Sequence, residues 1–241
     1  MTVWLRETSS TMKDAAALAE RGEPHGTVVV AETQTAGIGR HGHTWHSESP
    51  GGIYLSIILR LPLAPETLPV LTMALGLAAQ RAVDDLAEVA CDLRWPNDLL
   101  LNEKKLAGVM VQSADTPDTS AVLIAGIGLN VNQTEFPPEL RSVATSLRIE
   151  TGREHSKEAL LERIVAESLR YASLLEDRGK GPIFEQFEAR SSYVRGKSVA
   201  IDTPGRIISG FTAGLDDNGF LLVQTATGIE SIVAGGVRLR P

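Results

Sequence analysis

A stretch near the middle of the chain, residues 94–112 (RWPNDLLLNEKKLAGVMVQ), holds side chains that could handle an anionic substrate. Lys104 and Lys105 stand at the entry of an apolar run, and Asp98 precedes them. Because successive residues of a strand point to opposite faces, only one of the two lysines can face inward. A lysine among small and apolar neighbours is a fixed positive charge suited to a carboxylate or a phosphate. An ordinary hairpin with two solvated lysines is the alternative for this stretch taken alone.

A second stretch, residues 32–52, is rich in glycine and histidine. Gly37, Gly39 and Gly42 spell G-x-G-x-x-G after an apolar run. A dinucleotide site requires a helix to open directly behind these glycines, but the sequence that follows, HTWHSESPGG, is typical of a loop. The pattern therefore predicts a long loop without regular structure, able to turn backbone N–H groups towards an anion. We expect this glycine-rich loop to be disordered without ligand.

The same loop carries one permanent cation and one large aromatic ring. Arg40 is suited to a phosphate, and Trp45 is suited to stacking on a flat ring. His41, His43 and His46 invite a metal interpretation, but their spacing matches none of the usual zinc patterns. No cysteine or acidic pair is placed to complete such a site, so we predict none here.

The composition indicates a globular protein with a substantial core. Hydrophobic residues make up 43% and charged residues 22% of the 241 residues, which is ordinary for such a protein. The net charge of −7 and the lack of a basic cluster argue against a nucleic-acid binder. The single cysteine, Cys91, fits a reducing compartment. There is no basic-then-apolar leader and no long apolar run, so we expect a cytoplasmic protein that does not enter membranes.

The elements that must hold these residues alternate between strands and helices. Apolar and alternating runs predict strands over residues 2–6, 27–31, 53–61, 91–94 and 121–131, and a hairpin of two strands around Asn102 and Glu103. The spacing of apolar residues predicts helices over residues 15–20, 67–88, 159–175 and 183–190. Thr11 and Asp14 are spaced as a capping box before the first helix.

Near the end of the chain, the sequence pattern changes to short apolar segments separated by turns. Short β segments cover residues 198–201, 206–215, 220–224 and 229–233, separated by glycine-containing turns. This pattern predicts a small antiparallel barrel. We therefore expect two domains, one over residues 1–192 and a second over residues 193–241.

Together these stretches resemble the biotin protein ligase family along nearly the whole chain. The matching stretches come in the expected order, namely Ser10-Thr11, Gln34 with residues 37–45, and residues 94–98, 105–108, 126–130 and 144–147, followed by the C-terminal segment. The resemblance implies an α/β (α+β) fold. A catalytic domain with a mixed sheet flanked by helices, of the class II synthetase-like kind, would be followed by an SH3-like β-barrel.

The resemblance also implies a reaction in two steps. Biotin and ATP, with Mg²⁺, would give biotinyl-5′-AMP and pyrophosphate, and a lysine of a biotin carboxyl carrier protein would then take the biotinyl group. Some members carry an N-terminal helix-turn-helix domain and act as repressors. Here the first matching stretch begins near Ser10, so we expect no room for such a domain and no DNA binding. A homodimer is possible.

Site residues follow from the resemblance. Lys105 would hold the biotin carboxylate against the α-phosphate, Arg40 would contact the phosphate, and Asp98 would either orient Lys105 or help to hold Mg²⁺. The residues implied to bind biotin are Ser10, Thr11, Gln34, Gly37, Ile38, Gly39, Arg40, Lys105 and Gly108. Those implied to bind ATP or the adenylate are Arg40, Trp45, Asn97, Lys105 and Asn130.

The loop departs from the family pattern at two positions. The common loop reads GRGRxGRxW, whereas this one reads GIGRHGHTW, so Ile38 and His43 replace two arginines. Two alternatives therefore stand beside the ligase: a lipoate or octanoate attachment enzyme of the same fold, and a non-catalytic biotin sensor. The WPND and KLAG stretches and the C-terminal segment favour biotin over lipoate, and retention of Arg40 and Lys105 counts against the sensor.

Overall fold

The computed structural model describes residues 1–47, 51–114, 122–203, 205–233 and 235–239. Its first part contains, in chain order, β1 (Thr2–Thr8), α1 (Thr11–Glu20), β2 (Val28–Gln34), β3 (Gly52–Arg60), α2 (Leu68–Ala87), β4 (Asp92–Arg94), β5 (Asp98–Leu101), β6 (Lys104–Ala114) and β7 (Val122–Asn130). Then follow α3 (Leu147–Thr151), α4 (Lys157–Arg178), α5 (Gly181–Arg190), β8 (Arg195–Thr203), β9 (Arg206–Leu215), β10 (Leu221–Thr225), β11 (Gly228–Ile232) and β12 (Gly236–Leu239).

Seven strands form one mixed sheet in the order β1-β2-β3-β7-β6-β5-β4. The strands β1 and β2 are parallel, and the other neighbours are antiparallel. Both faces of the sheet are covered, because α1 packs on one face and α2 on the other, with α4 against α2. Strand β3 illustrates this, because its consecutive residues Ile57 and Ile58 point to opposite faces of the sheet and both are buried. Ile57 lies in the apolar cluster that includes α2, and Ile58 lies in the cluster that includes α1. The expected mixed sheet flanked by helices is confirmed.

Five C-terminal strands form an antiparallel sheet in the order β11-β10-β9-β8-β12. Within the described ranges, β11 and β12 are not hydrogen-bonded to each other, so this sheet is open and the closed SH3-like barrel is not seen. Turn spacing and alternation specify short antiparallel strands, but they do not specify whether the two outer strands meet. The sheet adjoins the first part of the chain through Trp95, whose Nε1 donates to Gly219 O at 2.9 Å. The boundary at residue 193 stays a prediction.

The predicted capping box before α1 is wrong. The helix begins at Thr11, preceded by Ser10, and the Ser10 side chain makes no capping bond. Thr11 instead turns its backbone N–H and Oγ1 towards Gln34 Oε1, at 2.9 and 3.2 Å. Asp14 accepts from Thr8 Oγ1 at 2.6 Å. The groups that the spacing assigned to the cap are therefore bonded elsewhere, Thr11 to the side chain of Gln34 and Asp14 to Thr8 at the end of β1.

Two elements, α3 and β12, were not predicted from the spacing of apolar residues. Helix α3 has five residues and β12 has four, which is too short for a period to show. In the long helix α2, Leu86 near the C-terminal end is exposed. None of the described helices is both long and apolar enough to cross a membrane.

Candidate functional site

Two neighbouring cavities lie where the glycine loop meets β5, β6 and β7, and we name them the first and the second cavity. The first is lined by most of the predicted biotin set, namely Ser10, Thr11, Gln34, Ile38, Gly39, Arg40, Lys105 and Gly108, and also by Trp45 and Asn97. The second is lined by Trp45, Asn97, Asp98, Lys105 and Asn130. Trp45, Asn97 and Lys105 thus stand at the junction, since they line both cavities. Of the predicted site residues, Gly37 alone is absent from both linings.

Lys105 stands next to a bulge in the β5–β6 hairpin. Leu99 pairs with Ala107, but the next pair is Leu100 with Lys105, so Leu106 is an extra residue in β6. Such a bulge disturbs the ladder locally and re-aims neighbouring side chains. The sequence predicted the hairpin correctly and allowed only one of Lys104 and Lys105 to face inward, but it carries no signal for the bulge.

The side chain of Lys105 runs across Gly108 towards Asp98. A Cβ atom at Gly108 would lie 3.1 Å from Lys105 Cε and 3.0 Å from Trp45 Cζ3, so a larger residue there would crowd both. The Lys105 ammonium lies 2.7 Å from Asp98 Oδ1 and 5.2 Å from the centre of the Trp45 ring. Three groups from β5, β6 and the glycine loop therefore set the position of this cation.

Asp98 is shared by two cations. Besides Lys105 on Oδ1, it holds Arg94 on Oδ2 at 2.6 Å. Burial acts to raise the pKa of Asp98, but the charges and hydrogen bonds of Lys105 and Arg94 outweigh it and leave the pKa below the ordinary carboxyl value. Asp98 is thus ionised near neutral pH and already paired.

This pairing predicts a pH-dependent contribution to stability. A carboxylate whose pKa is depressed by folding stabilises the protein above its unfolded pKa of about 4, and that contribution disappears as the pH falls through the folded value. We expect Asp98→Asn to lower the free energy of unfolding by about 2 kcal/mol at pH 7, with the gap to wild type narrowing below about pH 4. Urea unfolding across this range measures it, and a gap that stays constant down to pH 3 would contradict the assignment.

Arg40 and Asn97 connect the loop to β6. Arg40 donates from one guanidinium nitrogen to Asn97 Oδ1 at 3.1 Å, and Asn97 Nδ2 donates to Val109 O at 3.0 Å. Burial lowers the pKa of Arg40, and the negative charge of Asp98 works in the opposite direction. An arginine nevertheless stays protonated at neutral pH, so Arg40 brings a second fixed positive charge to the first cavity.

The opposite wall of the first cavity is a buried polar network. Gln34 Oε1 accepts from Thr11, and its Nε2 donates to Ser47 Oγ at 3.1 Å. Thr11 Oγ1 also contacts Ser56 Oγ at 2.9 Å. Ser10 is fully buried, and its Oγ has no hydrogen-bond partner among the described atoms. A buried hydroxyl without a partner costs free energy, so a polar ligand group is a suitable partner for it.

The glycine loop has regular structure, contrary to prediction. Segment 37–45 forms a short hairpin in which the N–H of Trp45 donates to Gly37 O at 3.0 Å and the N–H of Gly39 donates to His43 O at 2.7 Å. Its tip is a 3-10 turn over Arg40–Gly42. Residues 48–50 of the loop lie outside the described residues, and its disorder without ligand stays a prediction.

Gly37 allows the close backbone approach in this hairpin, and it lines neither of the two named cavities. A Cβ atom at Gly37 would lie 2.6 Å from Trp45 O and 2.7 Å from Ser47 Oγ. Glycine is thus required at position 37 of the G-x-G-x-x-G pattern at least partly because the backbone of the hairpin approaches it closely. Gly39 shows the same requirement, with His43 O at 2.9 Å from its hypothetical Cβ.

Trp45 lies on a pair of glycines. Gly108 of β6 and Gly128 of β7 are directly paired across the two strands. A Cβ at Gly128 would overlap Cε2 and Nε1 of the Trp45 indole. The ring therefore has a flat floor at this point because two facing strands both lack side chains. Trp45 Nε1 is buried with no hydrogen-bond partner within the described part of the chain.

Asn130 supports the wall of the second cavity. It is buried at the end of β7, and its Nδ2 donates to Thr145 O at 3.0 Å. This bond joins β7 to the segment that passes beside Lys105. Asn130 lines the second cavity as expected for a nucleotide contact, while its amide also holds the protein together.

Sequence reasoning missed several lining residues. Met12, Tyr54 and Met110 line the first cavity, and Phe136 and Val237 line the second. Burial raises the pKa of Tyr54 to about 12, so its phenol is neutral at physiological pH. No local pattern identifies these residues, because they come from five separate segments that only the tertiary structure brings together.

Comparison with known proteins agrees with the geometry. The model of the Biotin/lipoate A/B protein ligase family matches residues 4–132, and that of the Biotin protein ligase C terminal domain matches residues 195–240. The bifunctional ligase/repressor BirA of Bacillus subtilis (strain 168) is 35% identical over 96% of this chain and 71% of its own length. The biotin–[acetyl-CoA-carboxylase] ligase of Paracoccus denitrificans is 30% identical over 97% of this chain and 98% of its own.

A solved structure extends the similarity to three dimensions. The biotin protein ligase from Aquifex aeolicus in complex with biotin and ATP superposes with a TM-score of 0.86 at 33% identity, covering 99% of this chain and 98% of that one. The sequence relatives, both family models and this structure agree over the catalytic part and the C-terminal sheet. The chain belongs to the Biotin/lipoate A/B protein ligase family and, within it, to the biotin protein ligases.

Proposed function

We propose that this protein is an ATP-dependent biotin–protein ligase. It activates biotin as biotinyl-5′-AMP, releases pyrophosphate, and transfers the biotinyl group to a lysine of a biotin carboxyl carrier protein. The observation that supports this most directly is the position of Lys105 at the junction of two cavities. A carboxylate reaching out of the first cavity and an α-phosphate entering from the second would meet at this ammonium.

The first step places negative charge where the fixed cations lie. A biotin carboxylate oxygen attacks the α-phosphorus of ATP, and the bond from that phosphorus to the bridging oxygen of pyrophosphate breaks. Lys105 offsets charge on both reacting groups, and Arg40, at the loop end of the same cavity, contacts the phosphate. Cations already held in place by protein contacts stabilise such a transition state without having to reorganise.

The polar wall receives the other end of biotin. Ser10, Thr11 and Gln34 hydrogen-bond the ureido ring, and the unpartnered Ser10 Oγ gains a partner when biotin binds. Backbone groups of Ile38 and Gly39, together with Gly108, border the ligand. In the second step the carrier lysine attacks the acyl carbon of the adenylate, AMP leaves with the bonding electrons, and the amine loses a proton.

The nucleotide side of the junction is bordered by Trp45, Asn97 and Asn130. Trp45 covers the adenylate and limits its hydrolysis by water. Mg²⁺, when bound, would be held mainly by the substrate phosphates and one or two carboxylates, and it would offset phosphate charge. Asp98 is engaged by Lys105 and Arg94, which supports the orienting role for Asp98 over that of a metal ligand. Among the described residues, no cluster of three acidic, histidine or cysteine side chains is placed to hold a metal.

The test is ATP–pyrophosphate exchange with Mg²⁺, measured with biotin, octanoate or lipoate as the acid. We expect exchange with biotin only. The family model over residues 4–132 covers both biotin and lipoate ligases, whereas the model over residues 195–240 is specific to biotin ligases and supports biotin. Exchange with octanoate or lipoate would reassign the substrate, and biotin binding without any exchange would indicate a sensor.

The expected partner is a biotin carboxyl carrier protein, and homodimer formation is possible. The net charge of −7 does not favour contact with DNA phosphates, so we expect no specific DNA binding at physiological salt. The single buried Cys91 is consistent with a cytoplasmic location. A gel-shift assay against operator-length DNA would test the expected absence of DNA binding. Sedimentation of the protein with and without biotinyl-5′-AMP would test homodimer formation.

A further inference from the structure

Glu150, on the short helix α3, connects the two segments that flank Lys105. Its Oε1 accepts a hydrogen bond from Thr145 Oγ1 at 2.5 Å, and its Oε2 accepts one from Asn102 Nδ2 at 2.5 Å. Asn102 belongs to the turn between β5 and β6, and Thr145 belongs to the segment that follows β7. One carboxylate thus bridges two segments that lie far apart in the chain.

The Thr145 segment continues the sheet beside Lys105. Strand β7 pairs with β6 from Ala107 onwards, and at Lys105 its place is taken by residues 143–145. The N–H of Lys105 donates to Val143 O at 2.8 Å, and the N–H of Thr145 donates to Lys105 O at 3.0 Å. Both backbone groups of Lys105 are therefore bonded to this segment, so its location determines where the Lys105 backbone lies.

The turn on the other side is conformationally demanding. Asn102 and Glu103 both adopt left-handed backbone angles, with φ of 49° and 64°. Such angles are uncommon outside glycine, and they persist where the surroundings hold them. The bond from Asn102 to Glu150 supplies one such constraint three residues before Lys105.

Glu150 is itself held in place by the start of helix α3. Ser146 caps this helix, because its Oγ accepts from the N–H of Ile149 at 3.1 Å and donates to Gln133 O at 2.6 Å. The carboxylate is therefore presented from a capped helix end. A helix held in this way gives the bridge a defined anchor.

We propose that Glu150 is a positioning residue for Lys105, an inference that rests on the proposed ligase function. Glu150 lines neither of the two cavities. By joining the β5–β6 turn to the Thr145 segment, it keeps the Lys105 backbone where its ammonium reaches the junction of the two cavities. A displacement of about 1 Å in a catalytic group can cost about 10²-fold in rate, so even a small movement of this backbone matters.

The test compares Glu150→Ala with Glu150→Gln in ATP–pyrophosphate exchange. Alanine loses both bonds, whereas glutamine keeps both, because its Oε1 accepts from Asn102 and its Nε2 donates to the Thr145 hydroxyl. We expect Glu150→Ala to lower kcat by about 10- to 100-fold with the biotin KM within about twofold of wild type, and Glu150→Gln to restore most of kcat. The matched control is Glu154→Ala, which removes an exposed carboxylate paired with Arg148 and should leave kcat unchanged.

Amide hydrogen exchange provides a readout that does not depend on activity. In Glu150→Ala, the amides of Lys105 and Thr145 should exchange faster than in wild type, and in Glu150→Gln and Glu154→Ala they should not. In a Lys105→Ala background, Glu150→Ala should cost no further rate. A Glu150→Ala protein with wild-type kcat, or with unchanged exchange at both amides, would overturn the proposal. If the wild-type protein shows no biotin-dependent ATP–pyrophosphate exchange, the proposed ligase function is wrong. The amide hydrogen exchange measurement would still test whether Glu150 holds the Lys105 backbone in place.

Discussion

We expect Lys105→Ala to lower kcat for biotin-dependent ATP–pyrophosphate exchange by about 10²- to 10³-fold, because the fixed charge between the carboxylate and the α-phosphate is lost. The biotin KM should change far less, since the polar wall formed by Ser10, Thr11 and Gln34 is untouched. The fold should survive, because Asp98 keeps Arg94 as its partner at 2.6 Å.

The matched control is Lys104→Ala. Lys104 precedes Lys105 in β6 and does not line either cavity within the described part of the chain, so its loss should leave kcat near wild type. Circular dichroism and thermal unfolding of both variants verify folding. A Lys105→Ala enzyme within about threefold of the wild-type rate would show that the ammonium is not the group that stabilises the transition state.

We expect Gly128→Ala to raise the KM for ATP and to lower kcat/KM for ATP by about 10²-fold, because a methyl group there occupies the floor on which Trp45 lies. The overlap is with the ring itself, and the indole already lies close over Gly108, whose hypothetical Cβ would be 3.0 Å from Trp45 Cζ3. The ring must therefore leave the junction, and the cover over the adenylate is lost.

Two other glycines make this prediction specific. Gly126 lies two residues earlier on the same face, but a Cβ there would meet Met12 Sδ at 2.8 Å in the first cavity, so Gly126→Ala should change the biotin KM more than the ATP KM. Gly76, inside helix α2, has only Leu93 at 3.5 Å, so Gly76→Ala should leave both constants unchanged. Steady-state kinetics with each substrate varied in turn would separate the three. Both glycines line the first cavity and Trp45 lines both cavities, so equal effects of Gly126→Ala and Gly128→Ala on both KM values would contradict the role of the Trp45 floor in ATP binding.

Local sequence patterns determined most of the elements of this protein. The hairpin that presents Lys105, the long helix α2 and the C-terminal strands follow from apolar periodicity and turn residues, which act over a few neighbouring positions. The ordered stretches around Arg40, Asp98 and Lys105 also carry the resemblance that implied the candidate site residues. These properties are readable because each depends on residues close together in the chain.

Only the tertiary structure decided how these residues are connected. The bulge beside Lys105, the glycine pair beneath Trp45 and the bonding of Thr11 to Gln34 all depend on strand register and on segments distant in sequence. The open edge of the C-terminal sheet and the bridge at Glu150 have the same origin. A one-residue change of register would leave the local patterns intact and reverse which side chains meet, so no local pattern could specify these contacts.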